Sequence, residues 1–91
     1  MLHIIKTVAA VTQANQYATA GDNFLLIEDA VYASNSQHFA FANLPKQNVA
    51  VLIEDCVARG IAQRISPSIE QLDYNGFVRL TVAQDKSATW A

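Results

Sequence analysis

Cysteine is almost absent from this sequence: Cys56 is the only one among 91 residues. A single thiol cannot form an internal disulfide, and this composition is typical of a cytoplasmic protein. Only two histidines accompany it, His3 and His38, and they lie far apart along the chain. The sequence therefore predicts no metal site. The three glycines are isolated, so no phosphate-binding loop and no bound cofactor are expected.

Charged residues are also scarce, at 15% of the chain against a usual quarter, and the formal net charge is −2. The basic residues are scattered, whereas binding to a nucleic-acid backbone needs them clustered. No direct contact with nucleic acid is therefore expected. No signal peptide is recognisable at the start, and no apolar run has the length of a membrane span, so no membrane association is expected either.

Apolar residues, by contrast, make up 52% of the sequence. The length predicts one domain covering residues 1–91, and a domain of this size buries only a limited share of its surface. The apolar excess therefore predicts that part of this surface is covered by other subunits.

One motif occurs twice, as Leu26–Val31 and again 26 residues later as Leu52–Val57. The spacing is about that of one strand-plus-helix unit in a parallel sheet. In each copy an apolar run ends at two carboxylates, where the free N–H groups of a following helix favour negative charge. We interpret these acidic pairs as helix-start residues, because a catalytic pair would need a pocket and partners that the sequence does not show.

Strands and helices are predicted to alternate through the first two-thirds of the chain. Thr7 is the expected N-cap of a helix that runs to about Ala20 and ends at Gly21 as a left-handed C-cap. The other predicted elements are strands at Leu2–Lys6, Asn23–Ile27 and Val49–Ile53, a turn or short helix at Ala30–Ser34, and a short helix at Glu54–Arg59 stopped by Gly60. This alternation predicts an α/β fold with a mostly parallel sheet.

The C-terminal run fits two structures. Asp73 is a good N-cap, and the apolar residues that follow it fit the face of a helix. Yet Val78, Leu80 and Val82 also alternate as in a strand, so periodicity alone leaves both open.

The order of these features resembles the TusB/DsrH family, the B-type subunits of sulfur-relay complexes. The resemblance covers essentially the whole chain, and its most specific part is the C-terminal run. The segments that carry it are Met1–His3, Leu25–Ala33, Glu54-Asp55 with Ala58-Arg59-Gly60, Asp73–Val82 and Trp90.

The resemblance implies a small DsrE/F/H-like domain with helices on both faces of the sheet, and a helix for the C-terminal run. It implies partners as well: C-type and D-type subunits in a hetero-hexamer with two copies of each chain, and a downstream sulfur acceptor. In one branch of the family the sulfur ends in 2-thiouridine at the wobble position of tRNA. In a second branch, similar complexes serve dissimilatory sulfur oxidation, and some members carry a cysteine just after the first helix. The region Ala18–Asp22 has none, which favours the tRNA branch.

Cys56 is the only residue of this chain that could carry sulfur. Its place in the first turn of a helix favours a thiolate, but Glu54 and Asp55 disfavour one. Ala30 occupies the same place in the first copy of the motif, which favours a packing role for Cys56. Phe39, Phe41 and Trp90 are candidate interface residues and equally candidate core residues, whereas Phe77 fits the core better.

Three hypotheses follow. In the first, the chain is a structural subunit of a sulfur-relay complex and has no catalytic residue of its own. In the second, Cys56 itself carries a persulfide. In the third, the chain is an independent module that binds a small ligand near the acidic strand ends. The apolar surplus and the acidic surroundings of Cys56 favour the first.

Overall fold

Five parallel strands form one sheet in the computed structural model, which describes all 91 residues. The strand order is β4-β3-β2-β1-β5, so the last strand in the sequence pairs with the first. The strands are β1 (Leu2–Ile5), β2 (Asn23–Leu26), β3 (Val49–Leu52), β4 (Glu70–Leu72) and β5 (Ser87–Trp90). The predicted α/β class with a parallel sheet is confirmed.

Short helices connect the strands. The α-helices are α1 (Val8–Tyr17), α2 (Ile53–Ala58) and α3 (Tyr74–Ala83), and the 3-10 helices are Glu28–Ser34, Phe39–Asn43 and Ala62–Arg64. The C-terminal run is therefore a helix, and Asp73 caps it by accepting a hydrogen bond from the N–H of Gly76 at 2.8 Å. No helix here has the length and apolar character that crossing a membrane requires.

Helices cover both faces of the sheet, unequally. α1, α2 and the 3-10 helix Glu28–Ser34 pack on one face and enclose the larger core, which includes Phe24, Val31 and Cys56. On the other face, Phe77 and Leu80 of α3 pack against a smaller cluster of buried strand residues. That cluster comprises Leu2, Ile4, Leu25 and Ala50.

The end of the first helix differs from the prediction. α1 ends at Tyr17, and its C-cap residue Ala18 is already extended. Residues 19–22 instead form a tight turn, because the N–H of Thr19 donates to the Asp22 carboxylate at 3.1 Å and the N–H of Asp22 donates to the Thr19 carbonyl at 3.1 Å. Gly21, with φ of 91°, belongs to this turn and is not the helix C-cap.

Candidate functional site

The repeated motifs meet at the carboxyl end of the sheet. Glu28 and Asp29 lie in the first turn of the 3-10 helix Glu28–Ser34, and Glu54 and Asp55 lie in the first turn of α2, as predicted. The N–H of Glu28 donates to a carboxylate oxygen of Asp55 at 2.6 Å. This bond connects the two motifs directly and holds Glu28 in a left-handed conformation, with φ of 51°.

The remaining carboxylates at this end also have partners. Glu54 accepts the backbone N–H of Tyr74 at 3.0 Å, at the first turn of α3. Asp29 accepts a hydrogen bond from Arg59 Nε at 2.9 Å, and this bond raises the pKa of the Arg59 guanidinium. Glu28 lies 3.6 Å from the Lys6 ammonium. The acidic groups therefore hold helix starts and neighbouring chain segments together, and no pair of them faces an enclosed pocket.

Cys56 lies beneath these acidic residues and is fully buried in the main core. Burial, together with the nearby negative charge of Asp55, raises the pKa of its thiol to about 11, although Arg59 and Ser34 act in the opposite direction. The thiolate is the nucleophilic form of cysteine, and at neutral pH this thiol stays protonated. The enclosed Cys56 thiol thus differs from the exposed thiolates of reactive cysteines.

The three candidate interface aromatics differ in exposure. Phe39 is 79% exposed, and its ring stacks on His38 with 4.5 Å between centroids. Phe41 is partly buried and lines an apolar cleft of about 250 Å³, together with Leu44 and Ile69. Trp90 is half-buried against the main core. Phe77, assigned to the core, is partly buried between α3 and the sheet.

A partly buried polar network, which the sequence did not predict, connects Trp90 to His3 and Asp22. Its indole N–H donates to His3 Nδ1 at 3.1 Å, and His3 Nε2 lies 2.8 Å from an Asp22 carboxylate oxygen. Indole nitrogen can only donate, so His3 Nδ1 accepts, and the N–H at Nε2 donates a hydrogen bond to the Asp22 carboxylate. The bond from His3, the N–H of Thr19 and the amino group of Met1 hold the pKa of Asp22 well below its usual range.

This network has no signature in local sequence, because 87 positions separate His3 from Trp90. An isolated histidine in an apolar strand is the only available signal, and it identifies no partner. His38 lies elsewhere, where its Nδ1 accepts the N–H of Ala40 at 3.1 Å. Nowhere are three His, Cys, Asp or Glu side chains grouped as metal ligands would be.

The parallel sheet and the arrangement of its helices agree with the comparisons to known proteins. The family model described as DsrH-like protein matches residues 7–87. The chain belongs to the DsrH-like family. Protein TusB of Escherichia coli O81 (strain ED1a) is 41% identical over 73 residues, which are 77% of this chain and 76% of that protein. Protein TusB of Escherichia coli SMS-3-5 is 39% identical over 72 residues, with the same coverage. The resemblance to the TusB/DsrH family is thus confirmed.

Proposed function

We propose that this DsrH-like chain is a non-catalytic structural subunit of a hetero-oligomeric sulfur-relay complex that feeds 2-thiolation of the tRNA wobble uridine. The similarity to TusB proteins supports the pathway. The burial of Cys56 is the observation that supports a structural role, because the only thiol of the chain is enclosed in its core. A relay cysteine must meet a donor thiol and an acceptor thiol in turn, and each exchange requires access to its sulfur.

Sulfur transfer within the complex then depends on a partner. C-type and D-type subunits, two copies of each beside two copies of this chain, form the proposed cytoplasmic hetero-hexamer, and a downstream protein accepts the sulfur. An exposed apolar side chain supports an assembly role, since Phe39 is 79% exposed. The contribution of this chain is to position its partners and to help enclose the reactive site that they provide.

The test is Cys56→Ala in the assembled complex, with transfer measured from the upstream donor to the downstream acceptor. Alanine removes the nucleophile and keeps the site apolar, and Ala30 occupies the corresponding buried position in the first motif. We expect transfer within a few-fold of wild type. After incubation with the donor, intact-mass spectrometry of this subunit should show no addition of about 32 Da, the mass of one persulfide sulfur.

Two outcomes would contradict this proposal. Loss of nearly all transfer in Cys56→Ala, with the complex still assembled, would assign the relay to Cys56. A sulfur adduct on Cys56 that disappears when the acceptor is added would do the same. The acceptor also separates the family branches: incorporation of sulfur into tRNA is expected, and a complex that supports only sulfur oxidation would place the chain in the other branch.

Assembly can be tested at Phe39. Phe39→Ala should reduce co-purification of the C-type and D-type subunits, because a large exposed aromatic side chain is typical of an interface anchor. Tyr74→Ala is the matched control, since Tyr74 is also an exposed aromatic residue but lies on α3, at the other face of the sheet. Equal recovery of partners by Phe39→Ala and wild type would remove Phe39 from the interface.

A further inference from the structure

The outer edge of β5 has backbone groups that nothing in the chain satisfies. Leu2 N–H donates to the Lys86 carbonyl at 3.0 Å and Lys6 N–H donates to the Trp90 carbonyl at 2.9 Å. In the parallel register with β1, these bonds turn the backbone of residues 86, 88 and 90 toward β1. The N–H and C=O groups of Ser87 and Thr89 therefore point away from the sheet, and both residues are exposed.

The two edges of the sheet differ in how they are protected. β4, at the opposite edge, has only three residues and carries the charged side chain of Glu70. Short length and charge are common protection against pairing with another chain. β5 has four residues, Ser87–Trp90, with no charge and no proline among them, and Lys86 directly precedes it. It is the edge on which another strand can be added.

β5 is also held rigidly. Trp90 at its end donates a hydrogen bond to His3 at 3.1 Å, and His3 in turn lies 2.8 Å from Asp22. The ring of Tyr17 packs beside Trp90 with 5.6 Å between centroids. An edge strand that is fixed before binding loses less conformational freedom when a second strand pairs with it.

We propose that two copies of this chain pair edge to edge through β5 in antiparallel orientation. A two-fold axis beside Ala88 places Ser87 opposite Thr89 of the second copy, and Thr89 opposite Ser87. Residues directly opposite in such pairs exchange both backbone hydrogen bonds. All four outward groups of each copy are then satisfied by the same groups of the other, as an isologous contact requires.

Side chains in this register are complementary as well. Ser87 and Thr89 carry hydroxyl groups on the α3 side of the sheet, where a Ser–Thr pair across two strands is favourable. Lys86 falls opposite Trp90 of the second copy, where an ammonium group over the indole ring would be favourable. The pairing concerns copies of one chain, so it does not depend on the proposed sulfur-relay function.

Charge substitutions test the pairing in the full chain. In one variant Ser87 and Thr89 are both replaced by Asp, and in a second variant both are replaced by Lys. Like charges then face each other in either self-pair, whereas opposite charges face each other when the variants are mixed. The substituted side chains are exposed, so the fold should be retained.

The oligomeric state is measured by sedimentation equilibrium from about 10 µM to 1 mM. This range suits the weak affinity expected of a small contact, a dissociation constant on the order of 100 µM. Wild type should dimerise, each charged variant should do so at least tenfold more weakly, and their equimolar mixture should recover the dimer mass. A monomeric wild type, or charged variants that self-associate as tightly as wild type, would overturn the proposal.

Proline provides a second test that acts on the backbone. Thr89→Pro removes an N–H that points outward and should abolish the dimer while leaving thermal unfolding nearly unchanged. Ala88→Pro is its matched control, since the N–H of Ala88 faces β1, and this substitution should lower the unfolding temperature. If Thr89→Pro dimerises like wild type, β5 is not the contact. If β5 of a monomeric wild type becomes protected from hydrogen exchange only when partner subunits are added, the occupant is a different chain and the second-copy assignment is wrong.

Discussion

The two copies of the acidic motif have nearly the same sequence but different structures. Leu26–Val31 leads into a 3-10 helix that begins at Glu28, whereas Leu52–Val57 forms an α-helix that begins one motif position earlier, at Ile53. The residue two positions after the glutamate is buried in both copies, as Ala30 and Cys56. The next residue is not equivalent, because Val31 is fully buried and Val57 is 64% exposed.

Neighbouring segments account for this difference. The first motif lies beside β1, where Ile27 N–H donates to the Ile5 carbonyl at 3.0 Å and Ala30 N–H donates to the Lys6 carbonyl at 3.2 Å. Because of these bonds the backbone stays extended through Ile27, one residue beyond β2, and changes direction at Glu28. In the second motif the chain turns directly into α2. A repeat in sequence thus specifies the strand and its acidic end, while the adjacent strand decides the form of the helix.

The largest difference in stability between the two motifs is expected when their valines are replaced by alanine. Val31→Ala should destabilise the fold by about 2 kcal/mol, since it removes buried apolar volume and leaves a cavity. Val57→Ala should change stability by less than about 0.5 kcal/mol, as an exposed substitution usually does. Urea unfolding of both variants measures the difference. Equal losses would show that the two motifs are packed alike in solution.

Replacing the glutamate of each motif with glycine should change the stability of the fold in opposite directions. Glu54→Gly should cost roughly 1–2 kcal/mol, because glycine weakens α2 and the N–H of Tyr74 loses its acceptor. Glu28→Gly should be neutral or stabilise by up to about 1 kcal/mol, because glycine adopts the left-handed conformation without strain. Chemical unfolding of the pair decides this point. A clear loss in Glu28→Gly would show that the Glu28 side chain, and not its backbone, matters.

Replacing the aspartate of each motif should give a smaller difference in stability. Asp55→Ala should cost about 1 kcal/mol, since it removes the acceptor of the Glu28 N–H. Asp29→Ala should have little effect, because its ion pair with Arg59 is exposed to solvent. The comparison is best made by thermal unfolding at low and high salt. The difference between the variants should persist at high salt if the backbone bond is its cause.

The last difference is absent at neutral pH and appears only at alkaline pH, where it separates Cys56 from Ala30. The folded state raises the pKa of this thiol from 9.0 to about 11, so it binds a proton that the unfolded chain releases between these values. The stabilisation is therefore present below pH 9 and is lost as the pH rises through 11. Cys56→Ala should lack this loss in unfolding curves measured across that range. An identical alkaline decline in both proteins would assign it to other groups.

Local pattern was sufficient for part of this fold. The first three strands, the cap at Thr7 and the helix starts at the acidic pairs were all predicted, because each depends on residues close together in the sequence. β4 and β5 were missed. Both are short and contain polar residues, so they lack the apolar run that marked the other strands, and they form only because they complete the edges of the sheet.

The candidate site divides in the same way. The burial of Cys56 was anticipated by its counterpart Ala30, a comparison within the sequence. The bond between Glu28 and Asp55 was not, since parallel strands bring these residues together from 27 positions apart. Trp90 near the end of the chain was interpreted as equally core or interface, and its partner His3 could be identified only from the structure.

The pairing of β5 with β1 also has a consequence for the order of folding. β1 is synthesised first, but one of its two neighbours is the last strand to be made. Contacts between such distant segments carry a large loop-closure cost and slow the folding of small domains. Until β5 arrives, the edge of β1 remains open and exposed to other chains. Productive folding should therefore wait until β5 has left the ribosome, and the nascent domain should benefit most from chaperones before that point.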